Sequence, residues 1–291
     1  MRFHDFTEFT GGDDAYFAHP ALGSTALKGF VDPTPLPKTD LCLREGTAFH
    51  WLLFARDVAK ARLIAAKTFG TKNVDKEEKA AWEEWARQDG KFTLPKASFD
   101  AVHKMAESAL KIAEVRVLIE HRDARIEQAQ IFRCEEFPGL ELRRKPDVEV
   151  PGLAMGDAKS TTEPDLEGYA RTVGDLAHDM QAALYHDSGL AYHQEPYALG
   201  VWHIVGCKKP DRNGEHQAAI FMLHADTIKR GRIVRDAALF LADVARMTGR
   251  PVPYRFNARP RTLRRPTRWE MSSAEALLEH AREMYEHATR G

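Results

Sequence analysis

Residues 140–159 read LELRRKPDVEVPGLAMGDAK, two short and partly alternating runs separated by Pro151-Gly152. A proline followed by a glycine fits the two central positions of a type II turn, so this stretch predicts a β-hairpin. Side chains alternate between the two faces of a strand, which places Asp157 and Lys159 on the same face. The hairpin therefore presents a carboxylate and an amine side by side.

The length of the hairpin loop decides whether Asp147 joins this pair. A two-residue loop pairs Val150 with Leu153 and turns Asp147 and Asp157 to opposite faces. A three-residue loop pairs Val150 with Ala154 and sets Asp147 opposite Asp157, and a bulge would have a similar effect. A shared metal site thus requires an odd loop or a bulge. Without either, the stretch is a surface hairpin with ordinary charged residues.

The rest of the chain alternates between helical and strand-like patterns. We predict about forty turn-rich residues with a short helix capped by Ser24, then mostly helix at about 45–122 and three strands at about 128–159. The remaining predictions are a helix at about 165–188 that stops at Gly189, strands at about 197–207 and 217–223, and helices at about 226–247 and 273–288. This order favours an α/β fold with a mixed central sheet flanked by helices, plus a helical N-terminal region.

Length and composition suit one enzyme-sized unit of 291 residues. We expect a single domain at 1–291, with a mainly helical N-terminal part at 1–125, a core at 126–225, and C-terminal helices with an arginine-rich loop at 226–291. The formal net charge of −1 means that contact with nucleic acid would have to come from local basic patches.

The chain carries no sign of a membrane or secreted protein. No apolar run approaches the roughly 18–20 residues that span a bilayer, and the first residues do not resemble a signal peptide. The three cysteines, Cys42, Cys134 and Cys207, are widely scattered without a Cys-x-x-Cys pair. They support neither an iron–sulfur cluster nor a zinc site, and they fit a cytoplasmic protein without disulfides.

Two further elements flank the hairpin, the motif Gly46-x-x-x-His50 before it and the motif Gln181-x-x-x-Tyr185 after it. Gln181 and Tyr185 lie four residues apart on a predicted helix and share one face. In chain order these two motifs enclose Pro146-Asp147 and Asp157-x-Lys159, which form the pattern P-D-x9-D-x-K. This ordered set of motifs resembles the PD-(D/E)-x-K nuclease superfamily. Its closest resemblance is to the RecE-like, exodeoxyribonuclease VIII-like exonucleases of phages and prophages. The resemblance runs from about Ser24 to beyond Tyr185.

The resemblance implies a restriction-endonuclease-like core and a specific set of site residues. Asp147, Asp157 and Lys159 would be catalytic, the two carboxylates binding Mg²⁺ and the lysine serving the attacking water. His50 and the carbonyl of Ala158 would complete the metal ligands. Because imidazole suits Mn²⁺ better than Mg²⁺, Mn²⁺ is expected as a substitute.

Three residues at or near this set have less defined expected roles. Gln181 and Tyr185 would contact the substrate or support the ligands from behind. Glu127, which begins a predicted strand nearby, could join the site, but a solvated carboxylate is the expectation.

The function that the resemblance implies is a metal-dependent, ATP-independent DNA exonuclease acting in phage-type recombination. Such an enzyme would resect double-stranded DNA ends in the 5′–3′ direction beside a single-strand-annealing protein, as a homo-oligomeric ring of three or four subunits. The expected contacts to the DNA backbone are basic residues near the C-terminal end, unless this segment is a solvated loop or a subunit contact: Arg261, Arg264, Arg265 and Arg268. Two further candidate patches are Lys208-Lys209 with Arg212, and Lys229-Arg230 with Arg232 and Arg235.

Other functions use the same or neighbouring residues. The stretch from Gly152 to Ser160 superficially resembles a phosphate-binding loop, but Asp157 intrudes where backbone amides would bind phosphate, which argues against ATP. The pairs His178-Asp179 and His186-Asp187 resemble the dyad of HD-type metal-dependent phosphohydrolases. A catalytically inert DNA-binding module is a third possibility.

Overall fold

The computed structural model describes residues 1–31, 39–69, 73–163, 166–250 and 268–290. Its helices are α1 (Asp13–Ala18), α2 (Ser24–Val31), α3 (Asp40–Phe54), α4 (Arg56–Arg62), α5 (Asn73–Gln88), α6 (Lys96–Lys111), α7 (Ala113–Glu120), α8 (Leu166–Asp175), α9 (His178–His193), α10 (Ala225–Thr248) and α11 (Arg268–Arg290). Its strands are β1 (Phe3–Glu8), β2 (Leu63–Ala65), β3 (Phe92–Leu94), β4 (Arg125–Ile126), β5 (Gln130–Cys134), β6 (Glu141–Arg144), β7 (Val148–Val150), β8 (Ala154–Thr161), β9 (Val201–Cys207) and β10 (Ala218–Met222).

A five-stranded mixed sheet forms the centre of the molecule, in the order β10-β9-β8-β7-β4. Strands β8 and β9 are parallel, and the other neighbours are antiparallel. Parallel neighbours need a long crossover, which α8 and α9 provide. The predicted α/β architecture with a mixed central sheet between helices is confirmed.

Helices cover both faces of this sheet. On one face Phe49 of α3 and Leu118 of α7 pack with Val148 and Ile204 of the sheet. On the other face α9 and α10 pack over β8 and β9 in a second apolar cluster. Gly156 of β8 faces the first layer, where an added Cβ would lie 2.6 Å from Leu118 and 2.8 Å from Val148. The close packing of α7 on the hairpin therefore requires glycine at this position.

The hairpin region departs from the prediction at its first strand. The predicted run 140–150 is broken at 145–147 into β6 and β7, and β6 joins a separate sheet of order β1-β5-β6. Pro146 lies at the break and has no N–H to continue a ladder. The loops predicted for the first residues are wrong at β1, which pairs with β5. The short helix does begin at Ser24, as α2.

The predicted helix at 165–188 is two helices in the structure. The break comes at Ala177, which has a left-handed φ of +47°, and α9 then runs through Gly189 to His193. Gly189 is therefore not a helix stop, and that prediction is wrong. An added Cβ there would lie 2.6 Å from the Glu149 carboxylate and would collide with the Tyr197 hydroxyl, so glycine is needed for packing.

Candidate active site

The loop between β7 and β8 has the odd length that a shared site requires. Val150 pairs with Ala154, and Val148 pairs with Gly156. The Leu153 N–H donates to the Val150 carbonyl at 3.0 Å, and Gly152 has a φ of +74°, as the third residue of a type II turn does. Of the alternatives left open by the sequence, the three-residue loop is the one present, and continuing its register sets the position of Asp147 opposite Asp157.

Asp147 lies just before β7 and reaches two elements at once. Its Oδ2 accepts a hydrogen bond from the Ala158 N–H at 2.6 Å. Its Oδ1 lies 3.0 Å from His50 Nε2. Pairing between β7 and β8 reaches only to Gly156, so the Ala158 N–H beyond that point is available to the carboxylate. Asp147 thus links the sheet to helix α3.

The second carboxylate and the lysine are also in contact. Asp157 forms an ion pair with Lys159 two residues further along β8. Lys159 Nζ lies 3.5 Å from Gln181 Oε1 on α9, at the limit of a hydrogen bond. Burial raises the pKa of the Tyr185 hydroxyl and the Asp157 charge adds to this shift, whereas Gln181 and Ser24 of α2 oppose it. Gln181 and Tyr185 therefore stand beside the acid–lysine pair.

The surroundings shift the pKa values of the two carboxyl groups in opposite directions. Burial raises the pKa of Asp157; the Lys159 charge opposes this shift and the Asp147 charge adds to it. Burial also acts to raise the pKa of Asp147, but the charge and hydrogen bond of His50, with Lys159 and the Ala158 N–H, bring it below its ordinary value. Closely spaced carboxylates with separated pKa values are typical of functional sites.

The two basic groups respond to the same carboxylates. Burial acts to lower the pKa of Lys159, but Asp157 and Asp147 outweigh it and raise this pKa. The pKa of His50 is likewise raised, because Asp147 and Glu127 outweigh the opposing effect of burial. Lys159 is therefore a cation in this arrangement, suited to stabilising negative charge.

Glu127 belongs to this site, contrary to the sequence-based expectation of a solvated carboxylate. Its Oε1 lies 3.4 Å from His50 Nδ1 and 3.2 Å from Lys145 Nζ. Lys145 also binds Asp13 of α1, with 2.5 Å between the two charged atoms. Glu127 follows β4 directly, and its role depends on the distant α3, so no local pattern in the sequence indicates it.

His203 is a second neighbour of the site that the sequence analysis did not identify. It pairs in register with Asp157 across the parallel β8–β9 ladder. Its Nδ1 lies 2.7 Å from the hydroxyl of Tyr169 on α8. Burial and the nearby Lys159 charge hold the pKa of His203 well below its ordinary value. A neutral imidazole thus lies buried next to the acid–lysine pair, and the sequence signal for it is a single histidine within the otherwise apolar run of β9.

The side chains at this site meet some, but not all, of the requirements for binding a hard divalent cation. Mg²⁺ prefers carboxylate oxygens, and neighbouring ligands of an octahedral ion with bonds of about 2.1 Å stand roughly 3 Å apart. The 3.0 Å between His50 Nε2 and Asp147 Oδ1 matches that spacing. Among the described residues, however, no three His, Cys, Asp or Glu side chains converge as a preformed cage. Asp157 is paired with Lys159 instead, so cation binding would require that pair to separate. The expected ligand role of the Ala158 carbonyl stays a prediction.

The His-Asp pairs of α9 are engaged elsewhere. Asp179 forms a buried ion pair with Arg230. Asp187 lies 2.7 Å from Arg232 and 2.6 Å from Arg235. Both carboxylates are thus neutralised by arginines of α10, which does not favour an HD-type metal centre. The buried Arg230 and Arg235 are also not placed to contact DNA, so that candidate patch is wrong at these two residues.

The arginine-rich segment lies largely outside the described residues. Arg261, Arg264 and Arg265 fall there, and Arg268 is described only as the first backbone position of α11. Their expected contacts with DNA stay predictions. Among the described residues, no helix is both long and apolar enough to cross a membrane.

The fold is similar to that of a solved structure. A crystal structure of a protein from Eubacterium rectale named "Putative exonuclease" matches with a TM-score of 0.50 and 11% sequence identity, covering 78% of this chain and 83% of that chain. At this identity the likeness concerns the fold. No protein-family model matches the chain, and no curated protein matches it.

Proposed function

We propose that this protein is a metal-dependent nuclease that cleaves DNA phosphodiester bonds. The observation that carries the proposal is the three-residue hairpin loop, which brings Asp147 into register with Asp157 while Lys159 shares the Asp157 face. Two carboxylates and an amine converge only in this register. The ordered motifs from Gly46 to Tyr185 and the fold likeness support the same assignment.

Each side chain has a defined task in this proposal. Asp147, Asp157 and His50 hold the metal, which supplies Lewis-acid activation of the phosphoryl group and a lowered pKa of water. Lys159 offers a fixed positive charge for the negative charge that develops on the phosphoryl oxygens. Gln181 limits the freedom of the Lys159 ammonium, which lies 3.5 Å away. Burial of the site strengthens these charge interactions.

The finer proposal is an ATP-independent exonuclease of the RecE-like type, with Mg²⁺ as its metal and Mn²⁺ as a substitute. It would resect double-stranded DNA ends from the 5′ end for phage-type recombination, as a ring of three or four subunits that works with a single-strand-annealing protein. The motif order supports the RecE-like type. The name of the Eubacterium rectale protein supports an exonuclease only at a coarse level.

Digestion of two matched DNA substrates tests the proposal. One is linear duplex labelled at one 5′ end, and the other is a closed circle, each incubated with Mg²⁺, with Mn²⁺ or with a chelator. The proposal expects metal-dependent loss of the linear DNA and a resistant circle. Cleavage of the circle would indicate an endonuclease. If both substrates are bound but intact, the protein is a binding module, and phosphate release from mononucleotides would favour the HD-type alternative.

Two variants separate this activity from contamination. Asp157→Asn removes one carboxylate charge from the site and should digest neither substrate. Asp123→Asn removes an exposed carboxylate, 58% accessible and paired with the exposed Arg122, and should behave like the wild type. Equal digestion by both variants would mean that Asp157 takes no part in cleavage or that another protein in the preparation supplies the activity, and a further round of purification distinguishes the two.

A further inference from the structure

The backbone at Glu127 is held in an uncommon conformation beside the candidate site. Its φ of +50° lies in the left-handed region, which residues other than glycine seldom occupy. The Glu127 N–H donates to the Asp147 carbonyl at 3.1 Å, so the backbone of the metal-site carboxylate helps to maintain this conformation. Strained backbone kept in place by its surroundings is a reason to look for function at the residue concerned.

The conformation directs the Glu127 carboxylate toward the far side of His50. His50 Nδ1 lies 3.4 Å from Glu127 Oε1, whereas Nε2 lies 3.0 Å from Asp147 Oδ1. The imidazole ring therefore stands between two carboxylates, one at each nitrogen. The Glu127 carboxylate is on the side of the ring that faces away from Asp147.

A second set of contacts holds Glu127 itself. The same oxygen lies 3.2 Å from Lys145 Nζ, and Lys145 lies 2.5 Å from Asp13 Oδ1. Lys145 is largely buried, with 13% of its side chain accessible, so its ammonium is committed to these two carboxylates. The series Asp13, Lys145, Glu127 and His50 thus connects helix α1 to the candidate metal site.

We propose that Glu127 is a positioning residue for His50, accepting the Nδ1 proton so that the Nε2 lone pair is presented to the metal beside Asp147. The proposal rests on the proposed function, because it assigns His50 as a ligand. Histidines that bind metals usually donate their second ring N–H to a carboxylate, which sets the tautomer and the ring orientation. Lys145 and Asp13 keep the Glu127 carboxylate in position for this contact.

Mn²⁺ titration monitored by electron paramagnetic resonance measures metal binding independently of cleavage. Removal of such a supporting group weakens metal affinity by about 10–100-fold, so we expect that range for Glu127→Ala. Glu127→Gln keeps a carbonyl oxygen for Nδ1 and should recover most of the affinity. Glu141→Ala removes an exposed carboxylate paired with Arg133 and serves as the matched control, with wild-type affinity expected.

A double-mutant cycle distinguishes positioning from direct ligation. If Glu127 acts through His50, Glu127→Ala should cause no further loss of Mn²⁺ affinity in a His50→Ala background. An equal loss in both backgrounds would make Glu127 a ligand and overturn the proposal. Wild-type affinity in Glu127→Ala, with an intact fold by circular dichroism, would overturn it as well. If the wild type binds no Mn²⁺, or if Asp157→Asn binds it unchanged, the proposed function itself fails.

Nitrogen-15 NMR of the histidine rings gives a second test that needs no metal. The His50 signals are identified by their loss in His50→Ala, and they are recorded at a pH where the ring is neutral. Because Asp147 lies 3.0 Å from Nε2 and also accepts a proton there, the wild type should show both tautomers, and Glu127→Ala should shift the ring further toward the Nε2–H form. An unchanged tautomer in Glu127→Ala would contradict the positioning role.

Discussion

Replacing Glu149 by glutamine should destabilise the protein by roughly 3 kcal/mol, because it leaves a buried arginine without its counter-ion. Glu149 and Arg144 are both completely buried, and their two N–O contacts are each 2.9 Å. His193 Nε2 lies 2.8 Å from the same carboxylate, and Tyr197 also donates to it. Breaking one side of a buried pair typically costs about 3–5 kcal/mol.

The shift in the pKa of Glu149 corresponds to a destabilisation of similar size. Burial acts to raise this pKa, but His193, Arg144 and Tyr197 outweigh it and lower the pKa from 4.5 to about 2. At about 1.4 kcal/mol for each pH unit, this corresponds to roughly 3 kcal/mol. Because the folded-state pKa is the lower one, this contribution is present above about pH 4.5 and is lost as the pH falls toward 2.

Urea unfolding at pH 7 and at several lower pH values measures both effects. The wild type should lose this contribution below about pH 4.5, whereas Glu149→Gln should start roughly 3 kcal/mol lower and lack that part of the acid sensitivity. Other carboxylates also titrate in this range, so the difference between the two proteins is the relevant quantity. Glu141→Gln, which affects an exposed pair with Arg133, should cost less than about 1 kcal/mol. A loss below about 1 kcal/mol for Glu149→Gln, or an unchanged acid sensitivity, would refute the reasoning.

Three further predictions concern function. Asp157→Asn should abolish cleavage without lowering DNA affinity, because it removes a metal-binding charge and an anionic repulsion; cleavage near the wild-type rate with saturating metal would exclude Asp157 from the mechanism. Neutralising the C-terminal arginines should reduce the log–log salt slope of DNA binding by about one for each phosphate that the protein no longer neutralises, and an unchanged slope would assign them to solvent or subunit packing: Arg261, Arg264, Arg265 and Arg268. Light scattering at assay concentrations should show three or four subunits, and a stable monomer that degrades long duplexes processively would contradict the ring.

Much of the candidate site could be predicted because its geometry is local. Alternation along β8 places Asp157 and Lys159 on one face, and a spacing of four places Gln181 and Tyr185 together on α9. The backbone periods of strands and helices set these relations before any tertiary contact forms. The preference of Pro151-Gly152 for a type II turn belongs to the same category.

Other features were decided by contacts between distant parts of the chain. Glycine is typical of a helix end, yet α9 continues through Gly189. The reason is that the glycine fits between Arg144, Glu149 and Tyr197. Strand β6 leaves the hairpin for another sheet because β5 pairs with it. Propensities describe a residue with its chain neighbours, and packing overrides them when the partners come from far away.

The residues and their order in the sequence determined which chemical groups the candidate site contains. These groups are two carboxylates, a lysine and a histidine, and they lie on strands and helices whose residue periods are known. Only the tertiary structure decided that the hairpin loop has three residues, so that Asp147 falls opposite Asp157. It also decided that Glu127 stands behind His50. The residue period of a strand or helix sets the face on which a side chain lies. The register between strands and the position of a packed helix depend instead on burial summed over the whole core.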